Sequence, residues 1–296
     1  MAATAVAVVS RPIAPEQANL WSDAWRRLRR NRMALISAVY LTLLVVVALV
    51  AIVHTPYSYR GVGDAKPYSG PSPQHWFGAD TLGRDVLSRV MVGAQISLIV
   101  GVGTQVLILI VGVPIGLLAG YYKGWVDTVV SFVINVFYGI PDLLVAMILL
   151  LLLGPSLNNI IIAIVATRWM DMTRLVRGQT LALREREFIE AARASGAKPF
   201  KILFGHILPN ALGPIIVQAT FGVPAAILFE AFLSFLGIGI QPPTPSWGSM
   251  ASDGLAAIRI APHMVIAPSI ALSLTLMAFN FLGDGLRDAL DPRQKR

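Results

Sequence analysis

Residues 188–210 read Phe-Ile-Glu-Ala-Ala-Arg-Ala-Ser-Gly-Ala-Lys-Pro-Phe-Lys-Ile-Leu-Phe-Gly-His-Ile-Leu-Pro-Asn, and they form a charged island between two long apolar stretches. Ala191 and Ala192 favour a helix, and Gly196 can end one by adopting a left-handed conformation. Pro209 is tolerated at the start of the apolar stretch that follows. The pattern predicts a short surface helix that stops at Gly196.

The composition is that of a membrane protein. Of 296 residues, 55% are hydrophobic and 14% are charged, with a mean hydropathy of +0.68, whereas soluble domains carry about 25% charged residues. Three stretches hold no charged residue: 21 residues over 33–53, 33 residues over 90–122 and 25 residues over 143–167. About 20 apolar residues suffice to cross a bilayer as a helix. Although the net charge is +8, this hydropathy excludes a soluble nucleic-acid-binding protein.

These stretches predict an all-α polytopic membrane protein with six transmembrane helices and with cytoplasmic N- and C-termini. The predicted spans are residues 34–54, 97–121, 128–152, 157–176, 209–236 and 263–282, the third being interrupted by Gly139-Ile140-Pro141-Asp142. In this topology 19 of the 24 Lys and Arg residues are counted on the inner side, including Arg168 and Arg174, which fall within the inner part of the fourth span. Such an asymmetry is what the positive-inside rule requires.

The same topology divides the chain into segments. We expect a cytoplasmic N-terminal segment (1–33), a first transmembrane anchor (34–54), an extracytoplasmic loop with an interfacial helix (55–94), a five-helix core (95–290) that includes a cytoplasmic loop (177–208), and a cytoplasmic tail (291–296). The first apolar run is longer than the roughly 7–15 residues of a signal-peptide core, so we expect it to stay uncleaved.

The sequence offers no set of residues for catalysis or metal binding. It lacks cysteine, which excludes disulfides and thiolate metal sites, and it contains neither Gly-x-Ser-x-Gly nor any Gly-Lys dipeptide. The phosphate-binding loop of ATPases needs that dipeptide. The four histidines are scattered. We therefore assign no catalytic residue, no metal ligand and no cofactor to this chain.

The outer loop contains Phe77-Gly78-Ala79-Asp80-Thr81-Leu82-Gly83-Arg84-Asp85, and apolar residues then recur at helical spacing over 86–91. This spacing suits a helix that lies on the membrane surface. Asp80 and Asp85 could hold a metal or exchange protons. A helix N-cap combined with an Arg–Asp pair explains them better, and this interpretation is the one we adopt.

Four elements of the sequence resemble one family. The Glu-Ala-Ala, Gly196 and Ile-Leu-Pro-Asn pattern of residues 188–210 resembles the cytoplasmic "EAA" loop of binding-protein-dependent ABC importer permeases. The 77–85 element, Gln241-Pro-Pro-Thr-Pro-Ser-Trp-Gly248 and the ending at 283–292 resemble the C-type subunits of dipeptide, oligopeptide and nickel permeases. The resemblance covers about residues 26–292. His206 stands where the general pattern has Ile, as it often does in peptide-type members.

The resemblance implies the type I importer permease fold and several partners. These are a homologous B-type permease, two ATPase subunits that bind ATP and Mg, an extracytoplasmic solute-binding protein and membrane lipid, with no nucleic acid. The location would be a bacterial or archaeal cytoplasmic membrane. The residues implied in coupling to the ATPase are Phe188, Glu190, Ala191, Ala192, Arg193, Gly196 and Pro209. Phe188, Ile189, Ala191 and Ala192 would supply the apolar surface.

Polar residues within the spans are candidates for the transport pathway, because they are costly in lipid. They are Asn135, Asp142, Arg168, Asp171, Glu230 and Asn280. Arg168, Asp171 and Arg174 are three residues apart, which predicts ion pairs on one helix face. Glu230 has no basic residue within four positions. We assign Asp142, Glu230 and Asn280 to the pathway or to the permease–permease interface.

The cargo and the transport class leave alternatives. Dipeptides or oligopeptides are the favoured cargo, and nickel or oligosaccharides are alternatives within the same importer class. No His cluster suits nickel. A secondary transporter would also explain the spans and the charged residues within them, but such proteins usually show internal repeats, and no clear repeat relates residues 34–150 to 151–296.

Overall fold

A computed structural model describes residues 20–290, and this part of the chain is helical. The helices are α1 (Leu20–Leu28), α2 (Arg32–Val53), α3 (Val86–Tyr122), α4 (Gly124–Tyr138), α5 (Asp142–Leu153), α6 (Leu157–Leu183), α7 (Glu187–Ala194), α8 (Pro199–Ile202), α9 (Leu208–Phe235), α10 (Trp247–Ala256) and α11 (His263–Leu290). A π turn, Leu203–Ile207, joins α8 to α9. Within residues 20–290 the only β pairing is a single bridge between Ala79 and Asp85.

Four helical segments are long and apolar enough to cross a membrane: α2, α3, the continuous segment Pro199–Phe235 and α11. Helices α4 and α5 meet at 87° and could form a fifth, broken span. The break falls at residues 139–141, as the Gly-Ile-Pro sequence predicted. Helix α6 covers the predicted fourth span, but it carries Arg168, Asp171 and Arg174. Because of these charges, length and composition alone do not identify it as a membrane span.

Small residues allow α3 and α6 to pack closely. A Cβ atom added at Gly116 would lie 2.7 Å from the carbonyl oxygen of Thr173, and one at Gly120 would lie 2.6 Å from Cβ of Thr180. Helices in membranes associate largely through such small-residue contacts, since lipid and side chains are equally apolar. This pair forms the centre of the fold, and α9 packs against both helices.

The helix that was predicted to lie on the membrane surface is instead the beginning of α3. Val86 starts α3 and is only 1% exposed. Asp85 caps the helix, because its Oδ2 accepts a hydrogen bond of 2.7 Å from the backbone N–H of Ser88. The apolar spacing over 86–91 therefore marks the buried face of a long helix, and the prediction of a separate surface helix was wrong.

The cytoplasmic loop predicted over 177–208 is also largely helical. Helix α6 runs on to Leu183, and the helix that leads into α9 begins at Pro199 rather than at Pro209. The π turn over Leu203–Ile207 ends two residues before Pro209, and the helix continues from it through Pro209 into α9. Only α7 and its flanking turns, at 184–186 and 195–198, interrupt the two long helices.

Candidate functional site

Helix α7 ends in the way the sequence predicted. Gly196 has φ +77°, and its N–H donates to the carbonyl of Arg193 at 2.9 Å. The N–H of Ala197 donates to the carbonyl of Ala192 at 3.0 Å. Together these two bonds form a Schellman motif, which satisfies carbonyls that the helix end would leave free. The left-handed residue thus fixes the direction in which the chain leaves α7.

One side of α7 is buried and the other is exposed. Ile189 is fully buried and packs in a cluster with Val176, Ile202 and Leu203. The prediction that Ile189 supplies surface for a partner was therefore wrong, since it anchors α7 to its own chain. Phe188 is 42% exposed. Exposed neighbours on the same short helix are Glu190, Ala191 and Arg193, whereas Ala192 is half-buried.

Two further phenylalanines extend the exposed apolar surface. Phe200, on α8, is 72% exposed, and Phe204, in the π turn, is 42% exposed. Their ring centroids lie 4.5 Å apart. Sequence analysis missed both, although their spacing of four residues would have placed them on one helix face. We refer to Phe188, Phe200 and Phe204 as the exposed phenylalanines.

Polar contacts hold this segment against the corner between α3 and α4. Lys123 Nζ lies 2.8 Å from Glu185 Oε1, and this ammonium group lowers the pKa of the exposed Glu185 carboxyl by hydrogen bonding. Arg184 donates to the carbonyl of Tyr121 at 2.5 Å. The guanidinium of Arg193 sits 5.5 Å from the centroid of the Tyr121 ring. These contacts link α7 and the turn before it to the C-terminal end of α3.

The charged side chains of α6 find partners on other helices. Arg168 lies 2.5 Å from Asp142 at the start of α5. Tyr138 of α4 donates to Asp171. The sequence predicted ion pairs along α6 itself, and this was wrong because α4 and α5 offer closer partners. A third polar contact joins Arg174 of α6 to Asn135 of α4 at 3.4 Å. The bend between α4 and α5 allows both helices to reach α6.

Two adjacent pockets open beside these contacts. One has a volume of about 260 Å³ and is lined by Asp142, Arg168 and Asp171 together with residues of the α4–α5 bend. The other, of about 190 Å³, shares Arg168 and Asp171 and reaches Gln105 and Gln218. Among the predicted pathway residues, Asp142 therefore lines a cavity of the described chain.

Glu230 and Asn280 lie elsewhere. Glu230 is fully buried inside its own chain, where its Oε1 accepts a bond of 2.6 Å from Ser234 on the same helix. Its position thus differs from the expectation of a side chain that faces a pathway or a partner. Asn280 is exposed on α11. Within residues 20–290, no three His, Asp or Glu side chains are grouped to hold a metal ion.

Comparison with known sequences decides the family. The family "Binding-protein-dependent transport system inner membrane component" matches residues 112–296. The chain belongs to this family. A second family, "N-terminal TM domain of oligopeptide transport permease C", matches residues 19–71, so the chain is a C-type permease subunit of an ABC importer, as its sequence elements indicated.

Similar proteins support the assignment of this permease over nearly its full length. The chain is 46% identical to the dipeptide transport system permease protein DppC of Bacillus subtilis, covering 93% of this chain and 86% of that one. It is 46% identical to the glutathione transport system permease protein GsiD of Escherichia coli, covering 96% and 94%. An inward-facing structure of the MetNI methionine ABC transporter has the same fold, with a TM-score of 0.57 at 20% identity, covering 69% and 96%.

The 77–85 element of the permease forms a buried charge cluster. Asp80 Oδ2 accepts from Arg84 Nε at 2.7 Å and lies 3.4 Å from Arg89 Nε. These three side chains are at most 7% exposed. The interpretation of Asp80 and Asp85 as an ion-pair residue and a helix cap is confirmed. Partial burial raises the pKa of the nearby Asp253, while Arg89 and Arg84 oppose that shift.

The Trp-Gly element of the permease locks α10 against α3 and α9. Trp247 is fully buried, and its Nε1 donates to the carbonyl of Val90 at 3.1 Å. A Cβ atom at Gly248 would lie 2.3 Å from the carbonyl oxygen of Ala231, so only glycine fits there. Ser246 caps α10 and exchanges hydrogen bonds with Ser249. This element therefore serves the packing of the permease core.

Proposed function

We propose that this permease imports dipeptides or oligopeptides, taking them from an extracytoplasmic binding protein. The observation that carries the importer role is α7, a helix stopped by Gly196 and flanked by the exposed phenylalanines, in a chain that belongs to the importer permeases, whereas the choice of cargo rests on the relatives. Its relatives DppC and the oligopeptide protein OppC of Bacillus subtilis, the latter 41% identical, are named for peptide transport. Nickel and oligosaccharides remain the alternative cargoes.

The proposed assembly contains this chain, a B-type permease, two ATPase subunits that bind ATP and Mg, and the binding protein, in a bacterial or archaeal cytoplasmic membrane. Coupling would run through Phe188, Glu190, Ala191 and Arg193 on the exposed side of α7, with Ala192 beside them. Gly196 would set the direction of α7, and Pro209 would lie at the base of α9. Exposed apolar residues of α2, such as Leu43 and Ile52, would face lipid.

Six spans with cytoplasmic termini are part of the proposal. Helix α6 would be the fourth span in spite of its charges. Its length of 27 residues is sufficient, given a rise of about 1.5 Å per residue and a hydrocarbon core of about 30 Å. Arg168 and Asp171 are paired with α5 and α4, which offsets much of the cost of placing charges in a membrane. Helices α4 and α5 would together form the bent third span.

Reconstitution tests the function directly. The four-subunit membrane complex in proteoliposomes, supplied with its binding protein and ATP, should accumulate labelled dialanine above the outside concentration. The same vesicles should not accumulate ⁶³Ni²⁺ or labelled maltotriose. Accumulation of nickel or of the sugar in place of dialanine would reassign the cargo, and accumulation without ATPase subunits would indicate a secondary transporter.

Substituting Phe200 should weaken the docking of the ATPase. Phe200 is 72% exposed, and burying a Phe side chain at an interface contributes about 1.5–3 kcal/mol. We therefore expect Phe200→Ser to reduce the ATPase recovered with the tagged permease by about tenfold or more. The measurement is the ATPase-to-permease ratio after affinity purification in detergent.

Trp76 provides the matched control for Phe200. It is a similarly exposed aromatic residue, at 69%, but it lies in the outer loop. Trp76→Ser should leave the ATPase-to-permease ratio within twofold of the wild type. Equal ratios for the two variants would show that the exposed phenylalanines do not contact the ATPase.

Cysteine labelling tests the orientation. The chain has no cysteine, so single cysteines at two exposed positions, Gln74→Cys and Ser195→Cys, give unambiguous signals. An impermeant maleimide should label Gln74→Cys in intact cells, whereas Ser195→Cys should react only after the cells are permeabilised. Labelling of Ser195→Cys in intact cells would show that the orientation is opposite to the proposed one.

A further inference from the structure

Three charged side chains of α5 and α6, those of Asp142, Arg168 and Asp171, line one pocket, and we call this group the mid-membrane site. Asp142 lies eleven residues from the end of α5 at Leu153, and Arg168 lies eleven residues from the start of α6 at Leu157. At about 1.5 Å per residue this is about 16 Å, close to half of a hydrocarbon core of about 30 Å. Both charges therefore sit near the centre of the bilayer in the proposed topology.

The site is open rather than packed shut. The side chains of Arg168 and Asp142 are 36% and 42% exposed, and both line the pocket of about 260 Å³. Arg168 also borders the second pocket, and its guanidinium lies 5.2 Å from the centroid of the Phe229 ring. Charged side chains within membrane spans almost always face the bundle interior or a water-filled cavity, and they commonly mark the pathway of a substrate or an ion. An accessible pair beside two cavities is arranged to meet a ligand.

The second pocket adds unpaired hydrogen-bonding groups. Gln105, on α3, is only 8% exposed and lines this pocket together with Gln218 of α9. Neither side-chain amide makes a hydrogen bond to any residue that the structure describes. Gln218 is half-buried, whereas Gln105 is buried and in this respect differs from most buried amides. A peptide bond offers one donor and one acceptor, which an amide side chain can satisfy.

We infer that the mid-membrane site contacts the charged ends of a zwitterionic peptide during its passage. The cargo carboxylate would replace Asp142 at Arg168, and the cargo ammonium group would bind the released Asp142 carboxylate and Asp171. Each charge keeps a partner throughout, so the exchange avoids an isolated charge in the membrane. Gln105 and Gln218 would bind the peptide bond. This inference rests on the proposed function, because it concerns the same cargo.

The experiment compares two cargoes in two complexes. Uptake of labelled dialanine and of its C-terminal amide is measured in proteoliposomes for the wild type and for Arg168→Gln. Arg168→Gln should lower dialanine uptake at least tenfold and uptake of the amide less than threefold. For each complex, dialanine uptake is divided by uptake of the amide, and the two quotients are compared. Because both complexes receive cargo from the same binding protein, the preference of that protein between the two cargoes cancels from the comparison. The ATPase-to-permease ratio after affinity purification should stay within twofold of the wild type, which shows that the complex is assembled.

Arg177 supplies the matched control. It is also an arginine of α6, and it forms a hydrogen-bonded ion pair with Asp127 of α4 but lines neither pocket. Arg177→Gln should leave the dialanine-to-amide ratio unchanged. The site proposal is overturned if Arg168→Gln lowers the uptake of both cargoes equally or lowers the uptake of neither. It is also overturned if Arg177→Gln changes the dialanine-to-amide uptake ratio as much as Arg168→Gln does. If the wild type imports no dialanine at all, the proposed peptide function fails and the site proposal falls with it.

Discussion

Gly196→Leu should abolish coupling between ATP hydrolysis and transport while leaving the permease in the membrane. Gly196 has φ +77°, and a non-glycine residue in this conformation costs about 1–2 kcal/mol. No atom lies within 4 Å of a Cβ added there, so the effect arises from the backbone and not from a clash. The helix end would rearrange, and α7 would present its exposed side in a different direction. We expect at least a tenfold loss of ATP hydrolysis stimulated by the binding protein.

Two variants separate this explanation from a general loss of stability. Gly237→Leu places the same side chain at φ +82° with equal free space and in the same helix-end motif, but after α9, and it should keep at least half of the stimulated hydrolysis. Gly196→Asn should also keep most of it, because asparagine tolerates the left-handed conformation. Equal losses in Gly237→Leu and Gly196→Leu would argue against a specific role of the α7 stop.

Local chemistry predicted the ends and breaks of the helices well. The positive φ of Gly196, the N-cap of Asp85 and the break at residues 139–141 each follow from a few neighbouring residues. The charge-free stretch over 33–53 likewise placed α2. These features depend on backbone conformation and on the rule that apolar runs cross membranes, and a sequence displays both directly.

Contacts between helices could not be predicted from one sequence. Spacing alone favoured ion pairs along α6, but Arg168 pairs with Asp142, whose position depends on the 87° bend. Ile189 and Phe188 are adjacent apolar residues, and only the packing of α7 against α6 and α8 decides which one is buried. Pro209 marked a plausible helix start, yet a π turn before it continues the helix from Pro199.

Asp80→Ala should strongly destabilise the segment between α2 and α3 and its packing on the start of α3. Asp80 accepts hydrogen bonds from the backbone N–H groups of Leu82, at 2.9 Å, and Arg84, at 3.0 Å. It also neutralises the buried guanidinium groups of Arg84 and Arg89. Arg89 Nη1 already lacks a hydrogen-bond partner among the described residues. Removing the carboxylate would leave two buried cations close together, and breaking such a buried pair costs about 3–5 kcal/mol.

The measurement is the thermal unfolding midpoint of the purified complex, with the steady-state amount of permease in the membrane as a second readout. Asp64 is the matched control, since it lies in the same outer loop but is exposed and forms no ion pair with a described residue. Asp64→Ala should change stability by no more than about 0.5 kcal/mol. The unfolding midpoint of Asp80→Asn should lie between those of Asp80→Ala and Asp64→Ala, because asparagine keeps an acceptor for the backbone N–H groups but loses the charge. If Asp80→Ala unfolded at the same temperature as Asp64→Ala, the charge cluster would not be what stabilises the 77–85 element. Its residues would then have to act on a binding partner instead.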